Sequence, residues 1–157
     1  MPQFRAVRVD DPVAHALLTE YFAMRSDGFT RQERDYRTVF PDPTKFEPPA
    51  GIFIVAEVDG TPVGCAGIRM LSPERAELKH LFVRDAARGQ GIGSGLIAIL
   101  EQCAREFGAT EIVLDTHESL EAAGRLYASA GYVTIPPYND NPNASHWYRK
   151  ELERGAS

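Results

Sequence analysis

Several patterns that define large functional classes are missing from this chain of 157 residues. It has two cysteines and four histidines, and neither a Cys-x-x-Cys nor a His-Glu-x-x-His spacing occurs, so the sequence predicts no metal site. A glycine followed by lysine, which a P-loop requires, does not occur either. Cys65 and Cys103 lie in apolar stretches, and we expect both to be core residues.

Long apolar runs and an excess of positive charge are also absent. No stretch approaches the ~18 apolar residues of a membrane helix, and residues 1–11 lack the apolar segment of a signal peptide. The net charge is −5 and the pI is near 5.4, whereas binding to nucleic acid phosphates is built on a basic surface. We expect a single domain over residues 1–157, cytoplasmic, monomeric or homodimeric, with no membrane or nucleic-acid partner.

Glycine, in contrast, is concentrated in one short segment. Residues 88–95 read Arg-Gly-Gln-Gly-Ile-Gly-Ser-Gly, so every second residue from Gly89 lacks a side chain. A strand-like run, Ala76–Val83, precedes the segment, and an amphipathic helical pattern from Leu96 to Phe107 follows it. Backbone N–H groups left bare where a helix begins are able to bind anions. The segment therefore predicts a site for a phosphate-bearing ligand.

The strand-like run before the glycines is expected to alternate with a period of two. That period places Leu78 and His80 on one face, and Lys79, Leu81 and Val83 on the other.

Local patterns elsewhere in the chain indicate alternating strands and helices. The sequence Asp59-Gly60 is typical of a tight hairpin turn, and Gly108 is a candidate helix C-cap. The predicted strands span residues 4–9, 51–59, 62–70, 76–83, 111–115, 132–135 and 146–152, and the predicted helices include residues 12–24, 96–107 and 120–130.

A dinucleotide-binding loop is one alternative for the glycine segment. Gly93, Gly95 and Ala98 have the spacing of its fingerprint, and Asp115 follows about 20 residues later as the acid that would bind ribose. The fingerprint follows its strand almost directly, whereas the gap between Val83 and Gly93 exceeds the usual loop of about two to six residues. The spacing disfavours this alternative.

Two short motifs together resemble the GNAT superfamily of N-acetyltransferases. Arg88-x-x-Gly91-x-Gly93 is similar to the superfamily's pyrophosphate motif, (Q/R)xxGxG/A, and the stretch Leu126–Tyr132 is similar to its LYxxxGF/Y motif. The resemblance implies a single GNAT-like α/β (α+β) domain with a central mixed, mostly antiparallel sheet flanked by helices, in the order β-α-(α)-β-β-β-α-β-α-β-β. It also implies acetyl-CoA as co-substrate.

The resemblance assigns cofactor contacts to the end of the strand, the glycine segment and the next strand-to-helix connection. Many GNAT sequences carry an asparagine in that connection, where this chain has His117. The implied cofactor-binding residues are Leu81, Phe82, Val83, Arg88, Gly89, Gln90, Gly91, Ile92, Gly93, Ser94, His117 and Tyr127.

By the same resemblance, Glu77 and Tyr127 are the expected catalytic pair. Glu77 would assist loss of the amine proton through ordered water or in a dry pocket, and Tyr127 would protonate the departing thiolate. Backbone N–H groups near Leu81 would hold the oxyanion. Without the resemblance, Glu77 reads as a solvated strand residue and Tyr127 as a core aromatic. If Glu77 is not the base, His80 and His117 are the next candidates.

The acceptor is expected to be a small-molecule amine, because the loop over residues 136–144 should narrow the groove. A peptide amine, or a CoA-binding sensor without activity, remains an alternative. Arg31, Arg34 and Arg37 would suit an acceptor carboxylate, or they are ordinary surface charges of a helix. The expected acceptor-binding residues are Tyr21, Phe22, Arg25, Lys79, Tyr138, Asn139 and Asn143.

Overall fold

Seven strands form one mixed sheet in the computed structural model, which describes residues 2–27 and 40–153. The sheet order is β1-β2-β3-β4-β5-β7-β6. Only β4 and β5 pair in parallel, while all other neighbours in this sheet are antiparallel. The strands are β1 Pro2–Ala6, β2 Gly51–Val58, β3 Thr61–Met70, β4 Arg75–Val83, β5 Glu111–Thr116, β6 Val133–Thr134 and β7 His146–Glu151. This confirms the expected mixed, mostly antiparallel sheet.

Three α-helices flank the sheet in the described ranges: α1 Pro12–Asp27, α2 Ile92–Glu106 and α3 Glu121–Ser129. Asp11 caps α1, since its Oδ1 accepts a hydrogen bond from the N–H of Val13 at 2.9 Å. Between α1 and β2, the described residues contain one short 3-10 turn, Pro43–Phe46. The arginines at positions 31, 34 and 37 lie outside the described residues. No helix in the described part of the chain is both long and apolar enough to cross a membrane.

Two apolar clusters fill the two sides of the sheet. The larger cluster joins the sheet to α2 and α3 and includes Leu100 and Ile112, both fully buried. The smaller cluster joins it to α1 and includes Leu17, Phe53 and Val55. Each face of the sheet therefore carries its own cluster of apolar side chains.

A β-bulge interrupts the pairing of β3 with β4. Lys79 pairs with Gly67 and Phe82 pairs with Cys65, so two residues of β4 stand opposite one residue of β3. His80, one of those two, has a φ of 62°. The extra residue puts the side-chain alternation out of step beyond this point.

The bulge overturns the expected assignment of faces. His80 was expected to share a face with Leu78, but its ring packs against aromatic rings of α1, on the side opposite Leu78. Leu81 and Val83 were expected beside Lys79, but they pack with Leu78 against the cluster under α2. A strict period of two fails here because one inserted residue exchanges the two faces.

The parallel pairing of β4 with β5 is short. It joins Arg75, Ala76 and Glu77 to the stretch Glu111–Val113, and it does not continue beyond Val113. The remainder of β5 pairs with β7 alone. The sheet therefore opens between β4 and β5, just beyond Glu77.

Candidate active site

A cavity of about 550 Å³ lies where β4 and β5 separate. Its walls come from α1, residues 40–46, β4, the end of β5, α3 and the loop over residues 139–143. Six of the seven residues expected to bind the acceptor line it, namely Tyr21, Phe22, Arg25, Lys79, Asn139 and Asn143. The fold thus gathers residues that are far apart in the sequence around one space.

Tyr138, the seventh, is not among the lining residues, because its side chain is directed at Glu77. The Tyr138 hydroxyl donates a hydrogen bond to Glu77 Oε2 at 2.7 Å. Its ring also stacks near the guanidinium of Arg75, 6.0 Å from the ring centroid. Burial is the main cause that raises the pKa of Tyr138, and the charge of Glu77 adds to it.

Glu77 itself is buried, with 1% of its surface exposed, and it does not line the cavity. Its Oε1 accepts a hydrogen bond from Arg69 Nε at 2.8 Å and lies 3.8 Å from Lys79 Nζ. With Tyr138 on the other oxygen, both oxygens already have donors. A buried carboxylate of this kind is held by paired charge and hydrogen bonds, and it could reach a bound amine only through another group or a water molecule.

Tyr127 is 4% exposed and lines the cavity from α3. Its ring packs against Tyr132 and Tyr148, with centroid distances of 5.9 and 6.0 Å. Burial raises its pKa above the ordinary tyrosine value. The phenol is therefore protonated throughout the physiological range and can act as a donor.

The two histidines named as alternative bases have different surroundings. His80 packs against aromatic rings and near cationic side chains. Burial, with the charges of Lys79, Arg69 and Arg25, lowers its pKa to about 3. It is neutral at pH 7 and a weaker proton acceptor than an ordinary carboxylate. His117 is 6% exposed, and its Nδ1 accepts a hydrogen bond from the N–H of Ser119 at 3.1 Å.

The glycine segment forms a turn before α2 as expected. Gly89 and Gly91 have φ values of 82° and 76°, which favour glycine, and a Cβ at either position would meet nothing within 4 Å. The N–H of Gly95 makes a helical bond to the carbonyl of Gly91, so the N–H groups of the three residues between them belong to the open first turn. Backbone amides, a helix N-terminus and open space coincide here.

The other two glycines serve packing. A Cβ on Gly93 would lie 2.6 Å from Leu126 Cδ2, and one on Gly95 would lie 2.5 Å from Phe4 Cζ. Their small size lets α2 approach α3 and β1 closely. The four glycines therefore form two pairs. Gly89 and Gly91 allow the turn, whereas Gly93 and Gly95 allow close packing of α2.

The remaining expected cofactor contacts surround this turn. Arg88 is half exposed, with its Nε 3.2 Å from Asp85 Oδ1. Leu81 lines the cavity, whereas the side chain of Phe82 is buried in the cluster under α1, leaving its backbone as the available contact. Ile92 is 2% exposed, so only its backbone could contact a ligand. Of the others, Val83 is the last residue of β4, Gln90 lies in the turn and Ser94 lies in the first turn of α2.

One cluster in the cavity wall was not anticipated from the sequence. Asp115, considered there only as a ribose-binding acid, accepts hydrogen bonds from Asn139 Nδ2 at 2.7 Å and Asn141 Nδ2 at 3.2 Å. Trp147 Nε1 donates to Asn139 Oδ1 at 2.9 Å. The position of Asp115 at the carboxyl end of a strand and the repeated asparagines of the loop were the available signals.

Within residues 2–27 and 40–153, no group of three or more His, Cys, Asp or Glu side chains is placed to hold a metal ion.

Comparison with known proteins gives consistent matches. An uncharacterized N-acetyltransferase of Schizosaccharomyces pombe is 39% identical over 100 residues, which are 62% of this chain and 61% of that protein. The chain thus spans less than two thirds of this relative's length.

Solved structures share the fold at low identity. An acetyltransferase of the GNAT family from Staphylococcus aureus has a TM-score of 0.76 at 19% identity, covering 98% of this chain and 100% of that one. The PaiA N-acetyltransferase of Thermoplasma acidophilum, solved in complex with coenzyme A, has a TM-score of 0.74 at 16% identity, covering 96% and 99%. The model of the acetyltransferase (GNAT) family matches residues 12–132. With the sheet opening between β4 and β5 and the glycine turn at α2, this match shows that the chain belongs to the GNAT family of acetyltransferases.

Proposed function

We propose that this chain transfers the acetyl group of acetyl-CoA to the primary amine of a small molecule. The observation that carries the proposal is the placement of Tyr127, a buried phenol that lines the cavity together with the expected acceptor-binding residues. Family membership supports the reaction class. A cytoplasmic location and the choice between monomer and homodimer stay predictions from the sequence.

The turn before α2 fits the pyrophosphate of coenzyme A. Gly89 and Gly91 present backbone to open space, and the first turn of α2 adds N–H groups and the positive end of the helix dipole. Arg88 can contribute a charged hydrogen bond if it leaves its exposed pair with Asp85. When bound, acetyl-CoA supplies the acetyl group as a thioester. The other contributions to the reaction come from residues of this chain.

Tyr127 is the proposed donor to the sulfur that leaves. Because burial raises its pKa, its hydroxyl keeps the proton that a departing thiolate needs, and a hydrogen bond to the sulfur stabilises the charge as it develops. Backbone N–H groups at the bulge near Leu81 are the proposed donors to the carbonyl oxygen.

Glu77 stays a prediction as the base. A primary alkyl amine with a pKa near 10.4 is almost wholly protonated at pH 7, so one proton must leave before attack. The hydrogen bonds from Arg69 and Tyr138 occupy both Glu77 oxygens. We propose that Glu77 receives the proton through the Tyr138 hydroxyl or ordered water, not by direct contact.

The size of the cavity supports a small acceptor. The loop over residues 139–143 and residues 40–46 both contribute to the cavity wall, so an acceptor has to fit a space that these segments bound. A peptide amine would have to extend past this loop. A sensor that binds coenzyme A without reaction would not need Tyr127 at the cavity wall.

Acetyl-CoA binding tests the site directly. A ligand that binds only the folded state adds about 2.7 kcal/mol to the free energy of unfolding at a hundred times its Kd, so the Tm should rise by several degrees. Gly91→Val should abolish this rise. Gly60→Val is the matched control, because Gly60 also has a positive φ, 78°, and open surroundings, but lies in the β2–β3 hairpin turn.

Activity is tested by release of free thiol from acetyl-CoA with a panel of primary amines. We expect release with at least one small amine and none without an amine. A Tm rise with NADH but not with acetyl-CoA would refute the proposed cofactor. Binding of acetyl-CoA with no thiol release across amines and peptides would favour the sensor.

A further inference from the structure

Asp115 occupies a distinctive place in the opened sheet. It lies two residues beyond Val113, the last residue of β5 that pairs with β4. Ile112 and Leu114 point into the core under α2, so by alternation Asp115 faces the other side of the sheet, where the cavity lies. It is a lining residue of that cavity. Its carboxylate therefore stands at the point where the two halves of the sheet diverge.

Two asparagine side chains hold this carboxylate in a fixed orientation. Asn139 Oδ1 accepts hydrogen bonds from Trp147 Nε1 and from the N–H of Asn141, so the Asn139 amide nitrogen is turned to Asp115 Oδ2 at 2.7 Å. Asn141 Oδ1 accepts from the N–H of Asn143, which turns its own amide nitrogen to Asp115 Oδ1 at 3.2 Å. The hydrogen bonds accepted by the two amide oxygens thus fix the direction in which each amide nitrogen points.

The carboxylates of Asp115 and Glu77 have different electrostatic surroundings. Glu77 is paired with Arg69, whereas the amide donors on Asp115 are neutral. Within the described ranges, no lysine or arginine lies within ion-pair distance of Asp115. Burial is the main cause that raises the pKa of Tyr127, and the negative charge of Asp115 adds to it. Among the described residues, Asp115 therefore forms no ion pair with lysine or arginine, and its negative charge acts on the proposed proton donor.

An aromatic wall lies beside this carboxylate. The ring of His80 lies 5.7 Å from that of Tyr21, 5.6 Å from Phe22 and 6.0 Å from Phe46, between centroids, and all four residues line the cavity. Because the His80 ring is neutral, it adds no positive charge of its own to this wall, whose flat faces can accept an apolar group. Tyr21 belongs to the wall and lies close enough to both Arg25 and Asp115 to feel their opposite charges.

We propose that Asp115 binds the ammonium group of the acceptor, and that the acceptor is a primary amine joined by a short chain to an aromatic or similarly flat apolar group. The proposal deepens the proposed function and rests on it. Asn139 and Asn141 act as positioning residues, since they reach the amine only through Asp115. The cavity is then divided into a cation subsite at β5 and an aromatic subsite against α1.

The test measures binding, separately from turnover, by calorimetry with three probes of one shape. 2-Phenylethylamine carries the ammonium group, 2-phenylethanol is its neutral analogue, and 3-phenylpropionate carries a negative charge instead. The last probe is needed because four cationic side chains, those of Arg25, Lys45, Arg69 and Lys79, also line the cavity. We expect the parent chain to bind 2-phenylethylamine at least tenfold more tightly than either of the other probes.

Asp115→Asn should lower the affinity for 2-phenylethylamine by about tenfold or more, the loss expected when a charge-assisted hydrogen bond loses its charge. The affinity for 2-phenylethanol should stay unchanged, which shows that the cavity is still folded. Asp140→Asn is the matched control, since Asp140 is an exposed carboxylate of the same cavity, and it should retain the preference for ammonium. Asn139→Ala should weaken 2-phenylethylamine alone, by a smaller factor.

Several outcomes would overturn the proposal. In the parent chain, these are no binding of 2-phenylethylamine, or binding of 3-phenylpropionate that is as tight or tighter. In the variants, they are equal losses of affinity for 2-phenylethylamine and 2-phenylethanol in Asp115→Asn, or loss of the preference for ammonium in Asp140→Asn but not in Asp115→Asn. Thiol release distinguishes failure of the ammonium site from failure of the proposed acetyltransferase activity. If other amines cause thiol release but Asp115→Asn does not change amine binding, the chain is an acetyltransferase without this ammonium site. If 2-phenylethylamine binds selectively but no amine causes thiol release, the ammonium site stands and the acetyltransferase activity does not.

Discussion

Replacing Tyr127 with phenylalanine removes one hydroxyl from the cavity wall and leaves the ring in place. The ring contacts with Tyr132 and Tyr148, at 5.9 and 6.0 Å, do not depend on the hydroxyl. We therefore expect the free energy of unfolding to change by less than about 1 kcal/mol, as is usual when no cavity and no unpaired group is created. If Tyr127 is the proton donor, the main effect of the substitution must therefore appear in the rate of the reaction and not in the free energy of unfolding.

The expected kinetic effect follows from the role of a proton donor. Loss of a positioned general acid typically lowers the rate by about 100-fold or more, and 100-fold corresponds to about 2.7 kcal/mol in the barrier. The affinity for acetyl-CoA should change little, because the proposed pyrophosphate contacts are made by the glycine turn and not by the Tyr127 hydroxyl. Since burial raises the pKa of Tyr127, the parent chain should not lose activity near pH 10 through ionisation of this phenol.

The assay is single-turnover release of free thiol, with the best amine of the panel and saturating acetyl-CoA. Tyr148→Phe is the control, because its ring adjoins Tyr127 but does not line the cavity, and it should retain turnover. Near-normal turnover in Tyr127→Phe would exclude Tyr127 as the proton donor. The thiolate would then leave unprotonated or take its proton from water, and Tyr127 would be a packing residue.

Two further predictions concern the buried carboxylates. Glu77→Gln should depress turnover most at neutral pH and recover as the pH rises, because a deprotonated acceptor makes the base dispensable; an unchanged pH profile would place the base elsewhere. Glu101→Ala should lower the free energy of unfolding by about 2–3 kcal/mol, since it removes the acceptor of Lys150 and of the buried Tyr132 hydroxyl. Urea titration should show little change for Gln102→Ala, an exposed neighbour on the same helix.

Much of the fold follows from local sequence. The apolar periodicity and the turn signals predicted the seven strands and the three described α-helices to within a few residues, because each element carries its own pattern. Asp59 and Gly60 do adopt positive φ values, 51° and 78°, in the hairpin turn, and Gly108 does so, at 96°, after α2. Such signals are local, so they can be read without knowing the tertiary structure.

The candidate site was less accessible from sequence. The bulge at His80 depends on how β3 pairs with β4, and no period in β4 shows an inserted residue. The partners of Glu77 come from β3 and from a loop more than 60 residues away. The contact of Asn139 with Asp115 likewise requires that β7 pair with β5. Long-range pairing of this kind sets side-chain neighbours that local patterns do not contain.

The short parallel seam between β4 and β5 also bears on how the molecule opens locally. Only three residues of each strand are in register there, so few backbone hydrogen bonds join the β1–β4 half of the sheet to the half formed by β5, β7 and β6. Amide protons along residues 75–77 and 111–113 consequently report on the cohesion of the two halves. A molecule bound between them would slow hydrogen exchange at this seam more than at the hairpin of β2 and β3, whose ladder is much longer.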